Sequence, residues 1–336
     1  MILVTGGLGF IGSHVALTLL AQGQEVILVD NLANSNLQVL ERLEYIANMY
    51  IPFVKIDVRN TPALNKVFEQ YPIDAVIHAA GFKSIEESLQ KPLEYYNDNV
   101  SCIMSLLRSM QRSGVRKLIH LSSLAVYGQS SLTLNEELEL NFHYQNPYVK
   151  SQQMIEEIIR DTFQTDSEWR IAILRLGNVA GAFEHGGLGE YIAPLPKNII
   201  PLAMQVASGQ RELIELRKST ETEDGSFERS FVHVIDVCRS IHASLYWLST
   251  QEQHCCEAIN IVGEVSSIRH VLKLLAEITE QAIPVIDSEY CFNELAQIGS
   301  QSDKAETLLG WTTQKSLKQM IEDQWRFYQN TLSVKN

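Results

Sequence analysis

Short apolar runs alternate with amphipathic stretches over the first half of the chain. Two of the intervening stretches, Ile11–Ala21 and Pro92–Arg112, repeat apolar residues at the spacing of a helix. The runs themselves contain few polar residues, which is typical of strands buried on both faces. The alternation predicts an α/β fold with a doubly wound parallel sheet. The predicted strands are Met1–Val4, Glu25–Val29, Pro52–Ile56, Ile73–Ile77, Lys117–Leu121 and Ile171–Leu176.

The hydrophobic pattern changes at about Gly177. A glycine-rich segment, Gly181–Gly189, is followed by several prolines, and the stretch Arg217–Glu228 is polar and turn-like. We predict a first domain over residues 1–176 and a smaller lobe over 177–336, with a segment at about 230–262 returning to the first domain. The later predicted helices and strand are Val234–Leu248, Ile268–Glu280, Leu317–Tyr328 and Ala258–Val262.

Composition excludes several classes of partner. The chain has 336 residues, with 27 Lys and Arg against 40 Asp and Glu, a net charge of −13. Because no basic block offsets this charge, we expect no binding to nucleic acid or to an anionic membrane. No apolar run is long enough to span a membrane, and the apolar start is broken by glycines and lacks a basic region, so we expect no signal peptide.

The five cysteines are odd in number and show no C-x-x-C spacing, which argues against a disulfide framework and favours a reducing cytoplasm. Two interpretations of His254-Cys255-Cys256 are open: a metal or redox site, and a surface loop with incidental thiols. We favour the loop because the spacing matches no zinc signature, and we predict no bound metal.

A glycine motif follows the first predicted strand and opens the first helix. Gly6, Gly9 and Gly12 supply the tight turn, the close backbone approach and the close helix packing that a dinucleotide pyrophosphate requires. Asp30 ends the second strand 18 residues after Gly12, near the position expected for an acid that binds the adenosine ribose. An acid there disfavours a 2′-phosphate, so the sequence predicts NAD rather than NADP. The alternative interpretation is that the glycines form a turn that binds no ligand and that Asp30 is an ordinary acid at the end of a strand.

Several other motifs accompany the glycine loop. Their combination resembles the extended short-chain dehydrogenase/reductases and, more narrowly, the UDP-glucose 4-epimerase family. The likeness covers most of the chain, is strongest before residue 150, and includes Phe231–Asp236 and Leu309–Trp311. The early motifs are Gly6–Gly12, Val29–Asn31, Ala80–Lys83, Gln90–Tyr96, Ser122–Ser123, Val126–Gly128 and Asn146–Tyr148.

This resemblance implies a Rossmann domain that binds NAD over residues 1–176, a lobe that binds a UDP-hexose over 177–336, and a homodimer. In the family two helices from each subunit form the dimer contact, and the stripe Leu93, Tyr96, Val100, Met104 and Leu107 fits either such an interface or the core. Asp57 would contact adenine, and Lys83 would meet the cofactor ribose or phosphates. The implied cofactor-binding residues are Gly6, Gly9, Phe10, Ile11, Gly12, Asp30, Asn31, Asp57, Val58, Ala79, Ala80, Gly81, Lys83, Asn99 and Tyr148.

The resemblance also implies a reaction. In the family a tyrosine takes the proton of the sugar 4-hydroxyl, a hydride passes from C4 to NAD, the ketosugar rotates, and the hydride returns to its other face. Tyr148 matches this tyrosine, and Ser123 matches the serine that hydrogen-bonds the same hydroxyl.

The chain departs from the family four residues after Tyr148, where the family has a lysine that acidifies the phenol and this chain has Gln152. Glutamine can hydrogen-bond the nicotinamide ribose, but it brings no positive charge to favour phenolate. Lys150 is no substitute, because two residues along a helix place it about 200° around from Tyr148. We expect impaired rather than abolished catalysis.

A second departure concerns the pair of arginines with which the family grips the UDP pyrophosphate. Arg229 matches one of them, but Asp287–Glu294, which corresponds to the other, has no basic residue and three acids. Asn178 and Asn198 match polar contacts of the nucleotide site.

Competing functions follow from these departures. The first is an NAD-dependent nucleotide-sugar 4-epimerase of altered efficiency or substrate. The second is an NAD-binding homologue without turnover that has a binding or regulatory role. A sugar 4,6-dehydratase fits poorly, because Leu124 and Ala125 stand where water elimination needs an Asp-Glu pair. A simple oxidoreductase acting on another substrate is the remaining class.

Overall fold

A parallel sheet of seven strands forms the centre of the computed structural model, which describes residues 1–128, 133–140, 146–190, 196, 198–219, 222–288 and 301–333. The strands of the described residues are β1 (Ile2–Thr5), β2 (Val26–Asp30), β3 (Phe53–Lys55), β4 (Ala75–His78), β5 (Lys117–Ser123), β6 (Arg170–Leu176), β7 (Asn178–Ala180), β8 (Ile214–Arg217), β9 (Glu228–His233), β10 (Cys255–Ile261), β11 (Glu264–Ser267) and β12 (Val285–Ser288). The large sheet has the order β10-β6-β5-β4-β1-β2-β3 with parallel pairing throughout. The predicted fold class is confirmed, and each strand of this sheet lies within three residues of its predicted bounds.

Helices cover both faces of this sheet. In chain order they are α1 (Phe10–Ala21), α2 (Leu37–Ala47), α3 (Thr61–Gln70), α4 (Ile85–Gln90), α5 (Pro92–Tyr95), α6 (Ser101–Ser113), α7 (Pro147–Phe163), α8 (Ile199–Ala207), α9 (Val234–Thr250), α10 (Ile268–Thr279), α11 (Asp303–Leu309) and α12 (Leu317–Ser333). None of the helices in the described ranges is both long enough and apolar enough to cross a bilayer.

Side-chain alternation along the central strands creates two apolar layers. Ile2 and Val4 of β1 pack in a cluster with residues of α1 and α9, whereas Leu3 packs on the opposite face with residues of α3 and α6. These residues are buried because both faces of a parallel sheet are covered by helices. The runs of apolar residues in the sequence therefore correspond to strands without a solvent-facing side.

The C-terminal part adds two small sheets and a third apolar cluster. Strand β9 pairs in parallel with β7 and antiparallel with β11, while β8 pairs with β12. The third cluster joins α8, α10 and α12. Strand β10 joins the large sheet beside β6, and α9 packs against α1. The division into two functional domains at residue 176 stays a prediction. Strand β10 and helix α9, which pack against elements of the first domain, come after that residue in the chain.

Two expectations need correction. The helix predicted over Pro92–Arg112 consists of α5, a π-helical turn over Tyr96–Val100, and α6. The buried Asn99 lies in that turn and hydrogen-bonds outside its own helix, and such turns occur frequently at functional sites. In addition, Cys255 and Cys256 begin strand β10 and do not lie in a surface loop. Both are free thiols, and no metal-binding cluster of His, Cys, Asp or Glu side chains occurs within the ranges given above.

Candidate active site

The glycine loop after β1 owes its shape to residues without a Cβ atom. Gly6 has a φ of +66°, and a Cβ on it would lie 2.8 Å from the backbone nitrogen of Ala80. A Cβ on Gly12 would lie 2.2 Å from the carbonyl oxygen of Gly6, so a larger residue would push α1 away from the turn. The turn packs on the backbone of Ala79 and Ala80, which are both predicted cofactor residues.

Asp30 connects this loop to the end of β2. Its Oδ2 accepts the N–H of Leu8 at 3.1 Å, and its Oδ1 accepts the N–H of Leu32 and the hydroxyl of Ser35, both at 2.8 Å. An ionised carboxylate has further acceptor sites, which are suited to ribose hydroxyls. We call Gly6, Gly9, Gly12 and Asp30 the cofactor cradle. Its narrow glycine turn, the N-terminus of α1 and the carboxylate fit an NAD molecule.

The predicted adenine contact, Asp57, lies in an ion-pair network. Arg59 donates to both oxygens of Asp57, with its Nε and Nη2 at 2.9 and 2.6 Å, and also pairs with Asp98. Hydrogen bonding to Arg59 lowers the pKa of Asp57 to about 2. Asn31, another predicted cofactor residue, donates to Asp57 at 3.3 Å. The network fixes the charge and the position of this carboxylate, while its contact with adenine stays a prediction.

Asn99 fixes the loop after β4. Its Oδ1 accepts the N–H of Phe82 at 2.8 Å, and its Nδ2 donates to the carbonyl of Phe82 at 3.1 Å and to the hydroxyl of Ser151 at 3.0 Å. A Cβ on the adjoining Gly81, whose φ is +158°, would lie 3.2 Å from Asn99 Oδ1. These bonds join the loop that carries predicted cofactor residues to helix α7, which carries Tyr148.

Tyr148 occupies the first turn of α7. The helix begins there because Asn146 Oδ1 accepts the N–H of Val149 at 3.1 Å and Pro147 suits the first helical position. Ser123 is the last residue of β5, and hydrogen bonding between its hydroxyl and the phenol opposes the effect of burial on Tyr148. Burial dominates and raises the pKa of Tyr148 above its ordinary value. Within the described part of the chain, no charged side chain contributes to this shift.

Gln152 lies one turn further along α7 and is 7% exposed. Its Oε1 is buried and has no hydrogen-bond partner among the residues that the structure describes. The same is true of both ring nitrogens of His120, which lies in β5 three residues before Ser123. We call Ser123, Tyr148, Gln152 and His120 the catalytic wall.

A single carboxylate joins residues predicted for the two ligands. Glu190 Oε1 accepts Lys83 Nζ at 3.0 Å and Asn198 Nδ2 at 3.3 Å. Lys83 also lies 5.9 Å from the ring centroid of Phe10, a predicted cofactor residue. The structure therefore brings a predicted cofactor residue and a predicted substrate residue to one carboxylate.

The other predicted substrate residues lie on the small sheet. Asn178 is the exposed first residue of β7 and pairs in register with Phe231 of β9, the strand that also carries Arg229. The Arg229 guanidinium lies 5.0 Å from the ring centroid of Phe227, and its Nη1 donates to the carbonyl of Glu228 at 2.7 Å. Of the acidic stretch Asp287–Glu294, residues 289–294 lie outside the described residues.

A family model described as the NAD dependent epimerase/dehydratase family matches residues 2–261. The chain belongs to this family. A rice relative named UDP-glucose 4-epimerase 2 (Oryza sativa subsp. japonica) is 37% identical over 332 residues, which are 97% of this chain and 81% of the relative. The predicted resemblance to this family is thereby confirmed.

Two solved structures extend the comparison. The UDP-glucose-4-epimerase of Stenotrophomonas maltophila, with bound NAD and formylated UDP-arabinopyranose, has a TM-score of 0.94, is 30% identical and covers 99% of both chains. That of Bifidobacterium longum, in complex with NAD+ and UDP, has a TM-score of 0.94, is 33% identical and covers 98% of both chains. This member of the NAD-dependent epimerase family thus has the backbone fold of enzymes crystallised with NAD.

Sequence reasoning overlooked two residues that pair with predicted site residues. Arg59 follows Asp57 by two residues, and a cation so close in the sequence to an acid that follows a strand indicates an ion pair. Glu190 has no such local signal, because Lys83, with which it pairs, lies far away in the sequence.

Proposed function

We propose that this protein is a UDP-hexose 4-epimerase that interconverts UDP-glucose and UDP-galactose. The observation that carries the proposal is the placement of Tyr148 and Ser123 at the carboxyl edge of the sheet that also carries the glycine loop. Strand β4 separates β5 from β1, so the ends of these strands are close neighbours. In open parallel sheets the ligand sites lie at this edge.

The side chains of the catalytic wall have distinct tasks. The Tyr148 phenolate accepts the proton of the sugar 4-hydroxyl, and the Ser123 hydroxyl holds that hydroxyl beside it. On the return step Tyr148 donates the proton back to the same oxygen. Because burial raises the pKa of Tyr148, the phenol is mostly protonated at neutral pH, and we propose that turnover is slow.

The cofactor cradle holds NAD. The glycine turn leaves room for the pyrophosphate, and Asp30 accepts hydrogen bonds from the adenosine ribose. When bound, NAD accepts a hydride from the sugar C4 and returns it. Lys83 and Asn198 both donate to Glu190, and we assign them to the cofactor and the nucleotide sugar respectively. Asn178 and Arg229 are assigned to the nucleotide sugar as well.

The decisive experiment incubates the purified protein with UDP-glucose and, separately, with UDP-galactose at pH 7 and pH 9. NAD content is measured from absorbance, and the sugar nucleotides are separated by chromatography. We expect bound NAD and slow interconversion of the two substrates. A protein that holds NAD and binds both sugar nucleotides but converts neither at either pH has the binding or regulatory role instead.

We further propose that the protein is a homodimer. The residues of the apolar stripe predicted over Leu93–Leu107 differ in their exposure. Leu107 is 3% exposed, whereas Leu93 and Met104 are 78% and 36% exposed. Leu89 and Met154, on α4 and α7, are also exposed. Such large apolar side chains on neighbouring helices suit a helical contact with a second copy. Light scattering should give a dimer for the native chain and a monomer for Leu93→Glu combined with Met154→Glu.

We also propose a cytoplasmic location. The four described cysteines are free thiols, and two of them are buried, which suits a reducing compartment. Fractionation of the source cells with an antibody against the protein tests this location.

A further inference from the structure

A buried carboxylate follows Tyr148 on helix α7. Glu156 is fully buried and lies eight residues after Tyr148, about 12 Å further along the helix axis. Arg175 of β6, which is 2% exposed, donates to both of its oxygens, with Nε at 3.1 Å from Oε1 and Nη2 at 2.7 Å from Oε2. Ser122 of β5 donates its hydroxyl to Oε1 at 2.7 Å. One carboxylate therefore joins α7 to two neighbouring strands of the large sheet.

The two donors to this carboxylate lie opposite each other in the sheet. Ser122 pairs in register with Arg175, and Arg175 pairs in register with Asn260 of β10. Residues in register present their side chains on the same face of a sheet, which here is the face that α7 covers. The hydroxyl of Tyr127, in the turn after β5, accepts Arg175 Nη1 and donates to Asn260 Oδ1, both at 2.8 Å. The Arg175 guanidinium thus has partners on α7 and on that turn.

Ser123 is bracketed by two residues that α7 holds. Ser122 precedes it and bonds to Glu156. The carbonyl of Val126, three residues after Ser123, accepts Gln153 Nε2 at 2.7 Å. Glu156 and Gln153 lie three residues apart and so are neighbours on the surface of α7. The two bonds fix this end of β5 against α7, the helix that carries the proposed base.

Stability alone does not explain the ion pair between Glu156 and Arg175. Burying two charges costs free energy that their attraction offsets only with good geometry, and apolar residues of similar volume often stabilise a fold as well. The pair has a geometric consequence, because Arg175 holds the carboxylate where its Oε1 also accepts Ser122.

We propose that Glu156 is a positioning residue that acts through Ser122. It sets the distance between the Ser123 hydroxyl and the Tyr148 phenol, while Arg175 keeps its carboxylate in place. Both hydroxyl groups must reach the same sugar oxygen, and a displacement of about 1 Å in such a site can lower the rate about 10²-fold. The inference rests on the proposed function, because the two groups that are positioned serve that reaction.

The first test removes the link to β5 and leaves the ion pair intact. Loss of Glu156 would leave a buried guanidinium unpaired and destabilise the fold, so the variant is Ser122→Ala in the full-length protein. The matched control is Ser240→Ala on α9, because Ser240 is also buried and donates its hydroxyl to the carbonyl of Val237 at 2.7 Å. We expect Ser122→Ala to lower kcat about three- to thirtyfold, with the KM for UDP-glucose and the NAD content unchanged. Native kcat in Ser122→Ala, or an equal loss in Ser240→Ala, would overturn the proposal.

Two further variants separate positioning from packing. Ser122→Thr retains the hydroxyl and should keep more of the native kcat than Ser122→Ala. In the Ser123→Ala background, Ser122→Ala should have no further effect, because the hydroxyl that the link positions is absent. Equal losses in Ser122→Thr and Ser122→Ala, or the full loss in the Ser123→Ala background, would contradict the proposal.

A measurement on the tyrosine does not depend on turnover. In protein labelled with carbon-13 at the tyrosine ring carbon that bears the hydroxyl, the Tyr148 resonance is assigned by its loss in Tyr148→Phe. Ser122→Ala should move this resonance, as Ser123→Ala does, and leave that of Tyr246, on α9, unchanged. An unmoved Tyr148 resonance would refute the positioning role whatever the activity. A moved resonance, together with a native protein that converts neither UDP-glucose nor UDP-galactose, would support the positioning role and contradict the proposed function.

Discussion

The cofactor cradle and the catalytic wall share one edge of the sheet but differ in how their polar groups are paired. In the cradle, Asp30 accepts three hydrogen bonds, and the nearby Asp57 is held by Arg59. In the wall, Gln152 Oε1 and the nitrogens of His120 have no partner among the described residues. A buried polar group left unpaired costs about 1–3 kcal/mol. The carboxylates of Asp30 and Asp57 are therefore paired within the protein, whereas the buried polar atoms of Gln152 and His120 are unpaired within the described residues.

This difference separates binding from turnover. Asp30 is the polar side chain of the cradle that we propose to hold NAD, so its loss should weaken cofactor binding. The wall has a tyrosine whose pKa burial raises and a glutamine that cannot lower it by charge. Its variants should change kcat far more than they change cofactor affinity.

The largest expected effect follows removal of the proposed base. Tyr148→Phe should reduce kcat for epimerisation by about 10²- to 10⁴-fold, because it removes the only hydroxyl assigned to proton transfer. NAD content should fall far less than kcat, because Tyr148 is only one of the residues implied to contact the cofactor. The control is Tyr246→Phe, since Tyr246 is 71% exposed on α9 and far from the wall in the sequence. Retained turnover in Tyr148→Phe would show that another group is the base.

The next largest effect is a gain. Gln152→Lys places a cation one helical turn from Tyr148, and a fall of two or three units in the phenol pKa would raise the phenolate fraction at neutral pH by about 10²- to 10³-fold. The gain should appear in kcat more than in KM, because the acidic stretch Asp287–Glu294 is unaltered. Steady-state kinetics with UDP-galactose at pH 7 measure it.

Lys150→Gln is the matched control for this gain, since Lys150 lies on another face of the same helix and should leave kcat unaffected. A Gln152→Lys protein with unchanged turnover that still binds NAD and UDP-glucose places the deficiency elsewhere, and the binding role then becomes the better account.

The third prediction concerns the pH dependence of kcat, which should follow the deprotonation of Tyr148. Burial raises the pKa of Tyr148 above its ordinary value near 10. The base is the deprotonated form, so its fraction grows as pH rises and falls as pH drops. We expect kcat to increase about tenfold per pH unit between pH 7 and 9, roughly 10²-fold in total. A plateau already reached at pH 6 to 7 would show that another group acidifies the phenol.

The same two regions show what a sequence can predict. The cradle was predictable because its rules are local: glycines at fixed spacing after a strand, and an acid at the end of the next strand. Tyr148, Ser123 and Gln152 were found through family motifs. The partner of Lys83 was not, because Glu190 meets it only after strands and helices pack. The π-helical turn at Asn99 escaped as well, and the hydrogen bond from Asn99 to Ser151 joins residues that lie far apart in the sequence.

The smallest of the four effects tests the cradle alone. Asp30→Ala should weaken NAD binding by about 10- to 10²-fold, because hydrogen bonds to a charged acceptor contribute about 1.5–3 kcal/mol. Calorimetry on cofactor-free protein measures the dissociation constant, and kcat at saturating NAD should change little if cradle and wall act separately. Asp161→Ala, on α7, is the control for removal of a carboxylate.

The native protein should bind NAD more tightly than NADP, because the Asp30 carboxylate repels a 2′-phosphate. Tighter binding of NADP, or an Asp30→Ala variant that loses kcat but keeps its affinity for NAD, would contradict this division of labour.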